Sequence, residues 1–167
     1  MKTMYHTLTA IAVVLLALPA AAQGGKYGAT PEDSVLCVRN QSLYGEPARN
    51  GNYTEAYPYW QEVMRLCPAS SKGAYQTGAK MLRDFIGKEK DAARRSVYID
   101  SLLIIHDMRI QHFGERGFVL GVKGVDMMFY RPEACQEAYD VLKEAIKLTG
   151  PNTDAGVFSS YYQALGC

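Results

Sequence analysis

Histidines, the side chains most often used for metal binding and acid–base chemistry, are few in this chain. The 167 residues include three histidines. His106 and His112 are separated by six positions on one predicted helix, so their side chains point to different faces of that helix. A zinc site needs several convergent ligands, and the sequence has neither an H-E-x-x-H motif nor paired C-x-x-C motifs. We therefore predict no metal site and no cofactor.

A cluster of charged residues lies on the same predicted helix and just after it, at Asp100, Asp107, Arg109, Glu115 and Arg116. A pair of carboxylates could perform general acid–base catalysis if both faced one pocket. Asp107 and Arg109 are only two positions apart, so they do not face one another on a helix. We interpret the cluster as surface charges that pair with neighbouring helices, and we predict a protein that is not an enzyme.

The cysteines and the glycine-rich segment match no catalytic or phosphate-binding motif. A cysteine nucleophile needs a histidine close in space, whereas an even number of cysteines in an exported chain is typical of disulfide bonds. The segment "GERGFVLGVKG", residues 114–124, lacks the G-x-x-x-x-G-K-[ST] pattern of a phosphate-binding loop,. We interpret its glycines as a helix start and as positions of close contact between helices.

The first 22 residues have the pattern of a cleaved secretory signal peptide. Lys2 gives a weakly basic start, "LTAIAVVLLALPA" is an uncharged apolar run, and Ala20 to Ala22 form a small-residue cleavage site before Gln23. The apolar run is shorter than the about 20 residues that a bilayer span needs. We predict cleavage near Ala22, a periplasmic or secreted mature protein, and no membrane span in the mature chain.

The charge balance of the mature chain disfavours a nucleic-acid partner. Lys2 is one of 18 basic residues, so the mature chain has equal numbers of basic and acidic residues, 17 of each. Nucleic-acid binding depends on clustered lysines and arginines, and we predict no nucleic-acid partner. The remaining length suits one domain, which we place at 31–167 after a short linker at 23–30.

Apolar residues recur at helical spacing from Thr30 onward, and no alternating pattern of a β-strand is present,. The segment "TPED" predicts a helix start, with Thr30 as the N-cap and Pro31 in the first helical position. This first helix is predicted to end near Arg49, before the turn signal "NGN". The chain is therefore predicted to be all-α, with antiparallel helix pairs and about seven helices after the signal peptide.

The second helix is predicted to begin at "NYTE", which has the spacing of a capping box with Asn52 as the cap and Glu55 three residues later,. It is predicted to end near Cys67. Five further helices are predicted over 72–87, over 91–112, after "FGERG", after Arg131 and after "TGPN".

The segment "GNYTEAYPYWQEVMRLCP", residues 51–68, resembles one unit of a tetratricopeptide repeat, a helix–turn–helix unit of about 34 residues. The glycine, the tyrosines, the Glu–Ala pair and the final proline occupy positions that this repeat expects. The segment "QEAYDVLKEAIKLTGP" is a weaker second match. Two positions depart from the repeat, since Pro47 replaces an aromatic residue and Pro58 lies inside the second helix.

The whole mature chain resembles exported tetratricopeptide-repeat proteins of Gram-negative bacteria. The segments that carry the resemblance are "CVRNQSLY", "YTEAYPYWQEVMRLCP", "YIDSLLIIHDMRIQHFGERGFVLGVKGVD" and "YRPEACQEAYDVLKEAIKLTG". The resemblance implies a short right-handed superhelix of stacked helix pairs. It also implies a scaffold that binds a protein or peptide partner of the cell envelope through its concave face.

The residues expected on that concave face follow from the repeat alignment. An alternative function is a small helical hydrolase, or a carbohydrate- or cell-wall-binding module of the cell envelope. A carboxylate pair facing a pocket, or a histidine close to a free cysteine, would favour the alternative. The concave-face positions are Gln41, Arg49, Lys123, Met127, Tyr130 and Arg131.

The predicted helix order also suggests how the four cysteines pair. Cys37 lies near the start of the first helix and Cys67 at the end of the second, so the two meet at one end of an antiparallel pair. Cys135 and Cys167 have the same relationship in the last two helices. Bridging needs α-carbons within about 7 Å, which adjacent helix ends can reach. We predict the disulfides Cys37–Cys67 and Cys135–Cys167.

Overall fold

A computed structural model describes residues 25–167. Within this range the chain forms seven α-helices and two short 3₁₀ turns, with no β-strand, which confirms the predicted all-α fold and the predicted number of helices. The signal peptide predicted at 1–22 lies outside the described residues. The helices are α1 (Pro31–Arg49), α2 (Tyr53–Leu66), α3 (Lys72–Lys88), α4 (Ala92–Phe113), α5 (Arg116–Tyr130), α6 (Cys135–Thr149) and α7 (Ala155–Ala164).

The start of α1 is fixed by reciprocal hydrogen bonds between Thr30 and Asp33. The Asp33 backbone N–H donates to the Thr30 hydroxyl oxygen at 3.1 Å, and the Thr30 N–H donates to the Asp33 carboxylate at 3.2 Å. Pro31 occupies the first helical position, where its missing N–H has no cost,. The prediction of Thr30 as the N-cap is confirmed.

The capping box predicted at Asn52 is wrong. The Asn52 side chain makes no capping hydrogen bond. Instead, its backbone N–H donates to the carbonyl oxygen of Pro47 at 2.9 Å, so Asn52 belongs to the turn that ends α1. Gly51 in the same turn has a φ of +77°, a left-handed conformation that glycine adopts without strain.

Each helix packs mainly against the helices before and after it in the chain, and α5 also contacts α7. The contacts between neighbouring helices run in antiparallel order. In the α5–α6 pair, for example, Gly117 approaches Leu148 near one end while Gly124 approaches Leu142 further along. The chain is therefore a helical repeat-like array of antiparallel helices.

Glycines allow the close approach of α5 to its neighbours. A β-carbon at Gly117 would lie 2.8 Å from the Leu148 β-carbon, and one at Gly121 would lie 2.9 Å from a methyl carbon of Val157. Both distances are shorter than van der Waals contact allows, so larger residues would push the helices apart. The interpretation of these glycines as positions of close helix contact is confirmed.

The buried apolar side chains form two clusters. The buried members of the first cluster come from residues 37–105, on or next to α1 to α4. Those of the second come from residues 120–164, on α5 to α7. Several pairs of charged or polar side chains connect α4 to α5 and to the residue after it, including Asp107 with Lys123 and Asp100 with Arg131.

Each cluster lies in a half of the chain that contains one disulfide. Cys37 bonds to Cys67 and Cys135 bonds to Cys167, each with α-carbons 6.1 Å apart. Both predicted pairings are confirmed. Two disulfides are compatible with an exported protein, because such bonds persist in oxidising compartments. Among the helices of residues 25–167, none has both the length and the apolar character that a membrane crossing requires.

Candidate binding groove

Three adjoining cavities lie along α1, α3, α5 and α7. The N-terminal cavity, of about 450 Å³, lies between α1 and α3. The central cavity, of about 350 Å³, is lined by α3, α4 and α5. The C-terminal cavity, of about 490 Å³, is lined by α3, α5, α6 and α7 and by the segment before α7. Lys80 lines the first two cavities, and Arg83 lines the last two. We refer to the three cavities together as the groove.

The N-terminal cavity combines aromatic and basic side chains. Tyr44 is buried and Tyr53 is half-buried, whereas Arg49 and Lys80 are exposed. No carboxylate is among the residues that line this cavity. Arg49 ends α1 and Tyr53 begins α2, so the three-residue turn at 50–52 holds them close together.

A buried ionic cluster of Arg83, His106 and Asp126 lies where the central and C-terminal cavities meet. The Arg83 guanidinium donates two hydrogen bonds to the two Asp126 carboxylate oxygens, at 2.9 and 2.7 Å. The His106 Nε2 lies 2.8 Å from one of the same oxygens. The side chain of Asp126 is 8% exposed and that of His106 is 5% exposed. The cluster joins α3, α4 and α5 across the middle of the groove.

The environment of Asp126 holds its carboxyl group in the charged form. Burial alone would raise the pKa of Asp126, but the hydrogen bonds from His106 and Arg83 and the charge of Arg83 lower the pKa below its ordinary value. A buried carboxylate is tolerated only when such partners replace its hydration. Because both carboxylate oxygens are occupied, Asp126 orients the Arg83 side chain at the groove wall.

Arg109 lies in the wall of the central cavity with most of its surface buried. Its side chain is 8% exposed, and its Nη2 donates to the Glu115 carboxylate at 2.9 Å. The Arg109 Nε atom is buried and has no hydrogen-bond partner among the described residues. The Phe118 ring lies over the guanidinium, with 5.4 Å between the ring centroid and Cζ, a distance at which cation–π attraction operates.

Glu115 fixes the turn between α4 and α5 that brings Arg109 and Phe118 together. It accepts hydrogen bonds from Arg109 on α4 and, at 3.1 Å, from Lys72 on α3. These hydrogen bonds lower the pKa of Glu115. Its backbone has a φ of 55°, a left-handed conformation that is uncommon for a residue with a side chain. The two side-chain contacts help to stabilise this conformation.

The C-terminal cavity has mostly apolar walls. Phe118, Val122 and Val125 of α5 face Val157 of α7 across it. The small size of Gly121 leaves room for the Val157 side chain, which contacts the α5 backbone at that point. Phe118 is 55% exposed and lines both this cavity and the central cavity. The groove therefore changes from basic to apolar along its length.

The two predicted concave-face residues of α1 lie apart from one another. Arg49 lines the N-terminal cavity. Gln41 is half-buried, and its side-chain amide lies 3.6 Å from the Cys37 sulfur, which belongs to the first disulfide. Arg49 is thus at the groove, while Gln41 lies toward the disulfide end of the α1–α2 pair.

The predicted residues on α5 and just after it do not line the groove. Lys123 pairs with Asp107 on α4, with its Nζ atom 2.7 Å from one carboxylate oxygen, and Arg131 pairs with Asp100 on α4. Met127 is only 1% exposed, and Tyr130 packs against the first hydrophobic cluster. The α5 side chains that line the cavities are instead Phe118, Val122, Val125 and Asp126.

Sequence reasoning missed the central residues of the groove. It assigned no contact to His106, which is buried and contacts Asp126. It described Arg109 as a surface charge, but Arg109 is buried as well. One available signal was Asp126 itself, a single carboxylate in the apolar segment "FVLGVKGVDMMF", since a carboxylate in such a place needs a buried partner.

Three observations on the described residues concern the alternative enzymatic function. All four cysteines are in disulfides, so no free thiol is available to pair with a histidine. The Asp126 carboxylate contacts His106, but no serine, threonine or cysteine is among the residues that line the central cavity. Within residues 25–167, no group of three or more His, Cys, Asp or Glu side chains is placed to hold a metal ion.

Comparisons of this chain with protein-family models, with curated proteins and with solved structures find no match.

Proposed function

We propose that this protein is an exported scaffold, with tetratricopeptide-like stacking of its helix pairs, that binds a protein or peptide partner along the groove. The observation that supports the proposal most is the series of three cavities along α1, α3, α5 and α7. Neighbouring cavities share Lys80 or Arg83 as a common wall, so one extended segment can contact all three in order.

The groove also has the mixture of side chains that protein interfaces use. Arginine and tyrosine are enriched among the residues that dominate binding energies, and Arg49, Tyr53 and Arg83 line the groove. Arg83 is held in place by Asp126 before any partner binds. A side chain that is already ordered loses less conformational entropy on binding, which favours a recognition role for this surface.

Site-specific photo-crosslinking in the exporting cell tests the proposal. A photoreactive residue in place of Gln76, which is exposed and lines the central cavity, is expected to crosslink to a specific partner. The same residue in place of Lys147, which is exposed on α6 and does not line the groove, serves as the matched control. Equal crosslinking from both positions, or crosslinking from Lys147 alone, would place binding outside the groove.

A further inference from the structure

We propose that the groove recognises an acidic peptide segment, with carboxylates over the N-terminal and central cavities and an apolar side chain in the C-terminal cavity. This inference rests on the proposed function and specifies the chemistry of the partner. It follows from three properties of the groove, namely the sign of its charges, the accessibility of its cations and the position of its apolar part.

Positive charge is concentrated in the first two cavities. Arg49 and Lys80 line the N-terminal cavity, and Lys80, Arg83 and Arg109 line the central cavity. No aspartate or glutamate is among the residues that line either cavity. The whole chain has a net charge of only +1, so this grouping is local. Complementary charge on a partner would guide association and select the partner.

Two of these cations are available to a ligand. Arg49 and Lys80 are exposed, and neither forms an ion pair within residues 25–167. Lys123 and Arg131, which point toward α4, already have aspartate partners. Arg83 and Arg109 are paired with Asp126 and Glu115, so the unneutralised charge of the groove is that of Arg49 and Lys80, which lie along the N-terminal and central cavities.

Arg109 gives a second, independent indication that the central cavity can accept a ligand, because one of its buried hydrogen-bond donors lacks an acceptor among the described residues. More than nine-tenths of its surface is buried, and its Nε atom lacks a hydrogen-bond partner among the described residues. An unpaired buried donor costs free energy that a suitable acceptor can recover. Because the Arg109 side chain is only 8% exposed, a carboxylate could reach it only after a neighbouring side chain such as Phe118, which lies over the guanidinium, moved aside.

The apolar end of the groove favours a peptide over a polyanion such as a sulfated polysaccharide. Val122, Val125 and Val157 form the walls of the C-terminal cavity, and a polysaccharide has no side chain to fill it. Binding of a polyanion depends on many unpaired cations, and Arg49 and Lys80 are the two on this surface. A peptide with both carboxylate and apolar side chains matches the whole groove.

Selection from a displayed library of random peptides on the disulfide-bonded mature protein tests the inference. The expected result is enrichment of peptides that contain Asp or Glu together with an apolar residue. The variant Arg49→Glu/Lys80→Glu is expected to bind the selected peptides about five- to tenfold more weakly, because two exposed charge contacts are reversed. The matched control Lys90→Glu/Lys147→Glu changes the same net charge at exposed positions away from the groove and is expected to have little effect.

Each other outcome would overturn the inference. Selected peptides without enrichment of acidic residues, equal losses in the two double variants, or no selected peptide would each contradict it. Binding of heparin that depends on Lys80, without binding of acidic peptides, would assign the groove to a polyanion. Crosslinking from Gln76 tests the proposed function separately. A partner that crosslinks there but binds without carboxylates would support the groove as the binding site and would contradict recognition of an acidic peptide.

Discussion

The indole ring of Trp60 on α2 lies directly against the backbone of Gly78 on α3. Its N–H donates a hydrogen bond of 2.8 Å to the carbonyl oxygen of Ala74, one turn earlier on α3. A β-carbon at Gly78 would overlap the ring, lying 2.6 Å from Cε2. This contact joins the first helix pair to the second, and it sets how closely α2 approaches α3.

The first prediction is that Gly78→Ala lowers the free energy of unfolding by about 1–3 kcal/mol, because the added methyl group overpacks the contact with Trp60. Gly87→Ala on the same helix meets nothing within 4 Å and should raise that free energy by about 0.5–1 kcal/mol. Urea titration checks both values, and the fluorescence of the one tryptophan of the chain reports on the contact. Equal effects of the two substitutions would contradict the packing argument.

The second prediction concerns Asp126→Asn, which removes the charge at the centre of the ionic cluster. We expect the free energy of unfolding to fall by about 1.5–3 kcal/mol at neutral pH, the usual contribution of hydrogen bonds to a charged group. Asp107→Asn, which affects an exposed pair with Lys123, should cost less than about 1 kcal/mol. Thermal or urea unfolding of the three proteins at one pH gives the comparison.

The same substitution should change the acid sensitivity of the protein. The pKa of Asp126 is lowered from 3.8, so the native state holds fewer protons there than the unfolded state. The charged Asp126 therefore contributes its full stabilisation of the native state above pH 3.8, the ordinary pKa that applies to the unfolded chain. This contribution is lost as the pH falls through the lower pKa of the native state. The difference between wild type and Asp126→Asn should shrink over that acidic range, and a difference independent of pH would contradict the assignment.

The third prediction is that the two disulfides differ in their accessibility to reductants. Cys37 and Cys67 are 0% and 2% exposed, whereas Cys167 is exposed near the end of the chain. Thiol–disulfide exchange requires access of the attacking thiolate to a sulfur atom. Limited reduction followed by alkylation and peptide mapping should label Cys135 and Cys167 first. Earlier labelling of Cys37 would contradict the burial argument.

The fourth prediction is that the mature protein from its native host begins at Gln23. The apolar run and the small residues Ala20 to Ala22 give the expected cleavage site,. N-terminal sequencing of the exported protein measures the start directly. A soluble cytosolic chain that still begins with Met1 would contradict both export and the oxidising environment expected for the disulfides.

The helices could be predicted because they depend on local pattern, and the cysteine pairs could be predicted because they depend on the order of those helices. Thr30 and Asp33 cap α1 through residues three positions apart, and the order of helices places Cys37 beside Cys67. The role of Asn52 could not be read in the same way, because the turn that holds it depends on the carbonyl oxygen of Pro47. Two sequence segments with similar capping spacing therefore differ in structure.

The ionic cluster at the centre of the groove was harder to predict because its residues come from three helices. His106 and Asp126 are twenty positions apart, and Arg83 and Asp126 are forty-three apart, so no local spacing connects them. On α5, apolar residues occupy more than one face, and the repeat alignment indicated Lys123 where its neighbour Val122 lines the groove. The close packing of Gly121 against Val157 sets that rotation.

The division of the apolar core into two clusters affects the cooperativity of unfolding. Helices α1 to α4 and helices α5 to α7 are two potential folding units, each with its own cross-link, and the ionic cluster lies at their junction. Units of this kind can open separately, so unfolding is not required to be all-or-none. Arg83 and Val157 face the same cavity from opposite sides of the junction. The two units are otherwise joined mainly at α4 and α5. A ligand in the groove would contact both units and would therefore make their unfolding more cooperative.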